Sequence, residues 1–157
     1  MKKLLVLAVA LLMLVCSMSS CSKNNAQEET ASASVSDKEE LAVDIDLSEL
    51  SSNMVYSQVY SMMTEPEKYE GTVVKMRGTF NVYTDMEKMK NYYACLISDA
   101  TACCQQGIEF SLEDKSKTYT RDYPQKDTEI EVTGRFSIYY EDGNRFCELA
   151  DSTMTVL

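Results

Sequence analysis

Histidine is missing from all 157 residues, and its absence removes more chemistry than any residue present adds. Without imidazole there is no ordinary base to activate a serine or cysteine nucleophile, and no nitrogen ligand for a metal. The chain is therefore expected not to be an enzyme. No two cysteines flank a pair of residues, so both the usual zinc spacing and the helix-borne pair of a thiol oxidoreductase are lacking. The methionines form no regular Met-x-x-Met array for copper. The acidic pairs Glu113-Asp114 and Glu141-Asp142 have no EF-hand spacing and read as solvated charge in turns. Basic residues are scarce, 15 Lys and Arg against 25 Asp and Glu. Such a surface repels phosphate backbones, which excludes nucleic acid as a partner.

The apolar run Leu4 to Val15 is too short to cross a membrane, which takes about 20 residues. It follows Lys2-Lys3 and precedes Met18-Ser19-Ser20-Cys21, so it has the charged start, apolar centre and small-residue end of a signal peptide. Small residues running directly into a cysteine resemble a bacterial lipobox, with Met18 where leucine is more usual. Cys16 competes less well, because Val15 is too large for the position before the cut. Residues 1–20 are read as a lipoprotein signal peptide and Cys21 as the lipidated residue. Two or more acyl chains would hold the protein firmly on the extracytoplasmic face of a cell membrane. Without Lys2 and Lys3 the 15 basic residues fall to 13 against 25 acidic ones, a net charge of about −12. Residues 21–45 are nearly free of large apolar side chains and read as a flexible tether.

Residues 46–157 are long enough for one small domain. Asp46 with Glu49 has the spacing of a helix N-cap. Leu47, Leu50, Met54, Val55, Val59, Met62 and Met63 then give a helical stripe that Pro66 stops. From Tyr69 the period changes to two. Val73 to Phe80 and Glu129 to Phe136 alternate apolar and polar residues, and each carries a glycine at the same step, Gly78 and Gly134. A glycine inside a strand loses packing, so its repetition points to a bend or bulge. Further strands are expected at Tyr92–Ser98, Gly107–Leu112 and Arg145–Val156, the last entered through the tight turn Glu141-Asp142-Gly143-Asn144.

Five strands, two of them bent at glycine, make the chain mainly β: a small five-stranded barrel preceded by one helix. Residues 66–157 resemble an OB-fold, on Pro66-Glu67-Lys68-Tyr69-Glu70-Gly71, Thr72 to Phe80, and the repeated strand at Glu129. The resemblance implies a helix between the third and fourth strands. Glu113 to Thr128 is short and holds Tyr123-Pro124, so a turn is expected there, with the helix before Pro66 capping the barrel instead. Such barrels bind ligands on one face. Tyr83, Tyr92, Tyr93, Tyr139 and Tyr140 either fill half-buried strand positions or hold a neutral ligand.

Besides Cys21, the domain has Cys95, Cys103, Cys104 and Cys147. Three readings stay open: structural disulfides, a soft-metal site for zinc or copper(I), or thiols that pack as small hydrophobes. The segment around Cys103-Cys104 and Gly107-Ile108 resembles the soluble domain of an uncharacterised bacterial membrane-protein family that accompanies permeases and zinc-limitation genes. That resemblance implies zinc as cofactor and a permease or another envelope protein as partner. The leading expectation is a membrane-anchored binding or assembly module, and the alternative is a thiol-dependent metal-handling or redox lipoprotein.

The leader carries the first prediction. Metabolic labelling with a fatty-acid analogue is expected to mark the wild-type chain and not Cys21→Ala. Label that persists in Cys21→Ala, or that disappears only in Cys16→Ala, overturns the assignment.

Overall fold

The computed structural model describes residues 42–157; the leader, Cys16, Cys21 and the tether through residue 41 lie outside them. Two-residue alternation dominates these residues, and they form a mainly β chain with one six-stranded mixed sheet and one α-helix. In order they are strand β1 (Ile45–Asp46), helix α1 (Ser52–Thr64), a 3-10 turn (Pro66–Lys68), β2 (Val73–Asp85), β3 (Lys90–Ser98), β4 (Gln105–Leu112), β5 (Glu129–Glu141) and β6 (Asn144–Val156). Among the described residues no helix is long and apolar enough to cross a membrane.

The five long strands close on themselves. β2 pairs antiparallel with β3 along one half and with β5 along the other. β3 pairs with β4, β4 runs parallel to β6, and β6 returns antiparallel to β5. The ring is therefore β2-β3-β4-β6-β5-β2, with β1 added in parallel beside β2. Its inward positions are the alternating apolar residues: Met76, Phe80, Ile108, Ile130, Val132, Phe136 and Leu149 are fully buried, with Phe110 beside them. Each such side chain contributes roughly 1.5–3 kcal/mol relative to exposure.

The two glycines owe their places to space rather than to unusual backbone angles, since neither has positive φ. Gly78 stands where β2 leaves β5 for β3: it pairs with Ile130, and the next residue, Thr79, pairs with both Glu129 and Leu96. A Cβ at Gly78 would overlap the Leu96 carbonyl oxygen and lie 2.9 Å from Cys95 Sγ. Gly134 marks a true bulge. The β5–β6 register shifts between Thr133 and Arg135, and a Cβ there would meet the Ser152 hydroxyl. At the β5–β6 hairpin, Asp142 and Gly143 take φ of 51° and 78°, the left-handed pair that a two-residue turn requires.

The helix differs in detail from its sequence pattern. Asp46 does not cap it: its carboxylate accepts the Ser48 amide at 2.8 Å and the Ser48 hydroxyl at 2.6 Å, while Asp46 itself pairs with Lys75 in β1. Ser51 is the N-cap residue, without a side-chain bond, so the helix begins later. Val55, Val59 and Met62 are buried against the core, whereas Leu50, Met54 and Met63 are exposed. Leu47 is buried from the loop before the helix. Asp44 and Ile45, at the end of the segment read as tether, are held by β2: the Val73 amide donates to Asp44 Oδ2 at 2.8 Å and Ile45 pairs with Val74. Pro66 ends the helix as expected and is itself buried.

Between β4 and β5 there is no helix among residues 113–128. Thr120 and Asp127 have positive φ, and Pro124 removes a donor, so a continuous helix is ruled out there. The segment instead lays Tyr119 and Tyr123 over Phe80, Tyr93 and Phe110, with the Tyr93 and Tyr123 rings stacked at 3.9 Å.

Gly78→Ala is expected to destabilise by about 1–3 kcal/mol, because the obstacle is backbone carbonyl that cannot turn aside. Gly134→Ala should also destabilise, since its Cβ would displace the buried Ser152 hydroxyl from Leu149 O and press on the Ala150 carbonyl. Thermal melts of the two variants equal to wild type would remove the steric account.

Candidate metal centre

The six residues Asp99 to Cys104 join β3 to β4, and Asp99 folds them into a compact loop. Its backbone amide donates to Cys104 O at 3.1 Å and its carbonyl accepts the Ala102 amide at 3.0 Å. Ala102 takes a φ of 54°, which turns the chain so that the two following side chains do not diverge as they would along a strand. Asp99 Oδ1 accepts the Cys103 amide at 3.0 Å and the Cys104 amide at 3.5 Å. Oδ2 accepts the Thr101 hydroxyl at 3.0 Å and the Cys103 thiol at 3.3 Å.

The result brings three soft and hard donors to one point. Cys103 Sγ and Cys104 Sγ are 3.5 Å apart, and together with an Asp99 carboxylate oxygen they all lie within 4.8 Å of one another. Two sulfurs bound to one tetrahedral zinc at about 2.3 Å stand about 3.8 Å apart. The sulfur pair is therefore already close to the spacing a shared ion needs. Both cysteines are exposed and Asp99 is half-buried. Asp99 also lines a cleft of about 460 Å³ between the start of α1, the middle of β2 around Gly78 and the end of β3.

Burial alone would raise the Asp99 carboxyl, but the Cys103 thiol, the Thr101 hydroxyl and the two cysteine amides together hold it below the ordinary carboxylate range. The hydrogen bond with Cys103, then burial and the Asp99 charge, push the Cys104 thiol up. Tyr56 of α1 feels the same cluster: burial first, then Cys104, Asp99 and Cys103, raise its phenol. Gln106, just past the loop, donates to the Tyr56 carbonyl and ties helix to hairpin.

Cys95 and Cys147 are not brought to this cluster. Cys95 lies on β3 between Phe80 of β2 and Ile108 of β4, fully buried, and burial pushes its thiol up to about 12. Cys147 is buried on β6 opposite Ile138, its thiol also raised by burial. All four are free thiols, so the structural disulfides left open by the sequence are not formed, and of the four candidate cysteine ligands only Cys103 and Cys104 come together. Asp99 was not among the candidate ligands; its signal is an acceptor that opens a six-residue loop with both cysteines at its close.

The tyrosines divide. Tyr93 belongs to the aromatic packing under Tyr123, while Tyr83 and Tyr140 are exposed. Tyr92 and Glu109 line two further clefts of about 300 and 340 Å³. There the Tyr139 hydroxyl donates to Glu109 Oε2 at 2.6 Å and its ring stacks on Phe146. Burial raises the Glu109 carboxyl. Glu141, one of the acidic pairs, is not merely solvated. It accepts the Tyr92 hydroxyl at 2.7 Å and pairs with Lys88 and Lys90, which together bring its carboxyl down to about 2.

No protein-family model matches the chain, and no curated protein matches it. The fold and the loop define a mainly β protein carrying an Asp-Cys-Cys cluster.

The burial pattern predicts two classes of thiol. In the folded chain a charged thiol reagent is expected to modify Cys103 and Cys104 rapidly and to reach Cys95 and Cys147 only on unfolding. Four equally fast thiols, counted by mass, would contradict this placement.

Proposed function

We propose that the chain is a lipid-anchored module of the bacterial envelope, on the extracytoplasmic face, whose OB-like five-stranded barrel carries no catalytic activity and presents a soft-metal site on the β3–β4 loop. The ligands are Cys103, Cys104 and Asp99, and zinc is the ion. The observation that carries this reading is the pair of distances in the loop, 3.5 Å between the sulfurs and 3.3 Å from Cys103 Sγ to the Asp99 carboxylate. Copper(I) fits less well, because it prefers thiolates and thioethers and gains little from a carboxylate.

The OB-like reading is supported by the strand order, in which β4 and β6 run parallel and all other neighbours within the ring antiparallel. Lipid attachment rests on Cys21 and its leader, which lie outside the described residues. The resemblance of the Cys103-Cys104 segment to permease-associated soluble domains suggests the partner, a permease or another envelope protein that passes or receives the ion. Three ligands from one exposed loop suit such exchange, since structural zinc sites close all four positions and catalytic or exchanging ones keep one open.

A second reading has its own observation. The clefts around Tyr92 and Glu109 combine aromatic faces with a half-buried carboxyl, a surface suited to a neutral polar ligand such as a sugar. Neither nucleic acid nor any other polyanion suits it, given the charge of −10 on the whole chain.

Equilibrium dialysis with zinc tests the first reading. The reduced chain is expected to bind about one ion, and Cys103→Ser and Cys104→Ser to weaken binding by at least about tenfold, with Asp99→Asn intermediate. Cys95→Ser should bind as wild type does. Binding unaffected by all three loop substitutions would refute the site.

A further inference from the structure

We propose, resting on the reading of the loop as a soft-metal site, that Cys103 and Cys104 also form a reversible disulfide with each other, and that this oxidation switches the metal site off. The two sulfurs are in van der Waals contact at 3.5 Å, and a disulfide bond of about 2.05 Å needs them to close by roughly 1.5 Å. Neighbouring residues on an extended strand could not do this, because their side chains leave on opposite faces. Here the left-handed Ala102 turns the chain just before the pair. Asp99 Oδ1 then holds the amides of both cysteines, so the backbone that carries them stays folded.

Accessibility singles out the same pair. Cys103 and Cys104 are exposed, whereas Cys95 and Cys147 are buried under the strands and closed to an incoming reagent. The oxidant is a low-molecular-weight disulfide, of the kind an extracytoplasmic compartment supports. One loop thiol, as its thiolate, attacks a sulfur of that disulfide and forms a mixed disulfide, and the displaced small thiolate takes up a proton. The second loop thiol attacks the protein sulfur of the mixed disulfide, forms the Cys103–Cys104 bond and releases the second small thiol. Two S–H bonds of the protein are lost, one S–S bond is made, and the small disulfide is reduced to two thiols. Metal is bound by thiolate, so bonding the sulfurs to each other removes two of the three ligands.

The full chain, extracted in detergent and fully reduced, is incubated in buffers of graded oxidised to reduced glutathione, quenched in acid, alkylated and mapped after trypsin. Zinc binding is measured on parallel samples. The peptide from Asn91 to Lys115 is expected to lose two hydrogens while its Cys95 remains alkylated, as does Cys147. Zinc should fall from roughly one per chain to none and return with reductant. Cys104→Ser is expected to trap glutathione on Cys103, because the resolving thiol is gone. Glutathione accumulating on both loop cysteines of the wild type, disulfide-linked dimers in place of the internal bond, or full zinc retention in the oxidised chain would each overturn the proposal. Should the reduced chain bind no zinc, the metal site itself fails, and the peptide map alone still decides whether the disulfide forms.

Discussion

One strand has to serve two partners, and the ring exists because β2 can change from β5 to β3 at Gly78. The Leu96 carbonyl of β3 occupies the place where any other residue would carry its Cβ. Two residues on, Phe80 has its amide and carbonyl taken by Thr128 and Asp127, so the same stretch anchors the long connection as well as the two strands. The Phe80 ring then gathers Tyr93, Phe110, Tyr119 and Tyr123 around it. The direction in which β3 leaves this crossing determines where Ser98 ends and the cysteine loop begins.

What could be read from the sequence was whatever depended on local periodicity. The alternation from Val73 and from Glu129, the repeated glycine and the Asp142-Gly143 turn each report a neighbour one or two residues away, and the strands, the bulge at Gly134 and the hairpin follow from them. β1 left no such trace, because two residues carry no period and its partner Val74 is 29 positions from Ile45. The helix start was misplaced for a related reason. Asp46 can bond forward to a helix or to a turn, and its bond to Ser48 together with pairing to β2 outweighs the capping option.

The cluster was half legible. Adjacency of Cys103 and Cys104 was plain, whereas the separation of Cys95, buried two residues before the inward Ile97, came only with the structure. Asp99 was invisible, since spacing rules for metal ligands describe regular turns, and this loop closes through an alanine in the left-handed region that alanine rarely enters. Burial then separates four chemically identical thiols into two enclosed by the strands and two exposed on the loop.

The parallel pairing of β4 with β6 bears on how the chain reaches this state. β6 is the last of the described strands, and it supplies a neighbour to both β4 and β5. Until it arrives, two rows of backbone donors and acceptors stand open and Leu149 is missing from the interior. Closure is thus a late, long-range event. A chain without β6 would leave β4 and β5 as open edges for neighbouring molecules to pair with, instead of settling into a smaller closed fold.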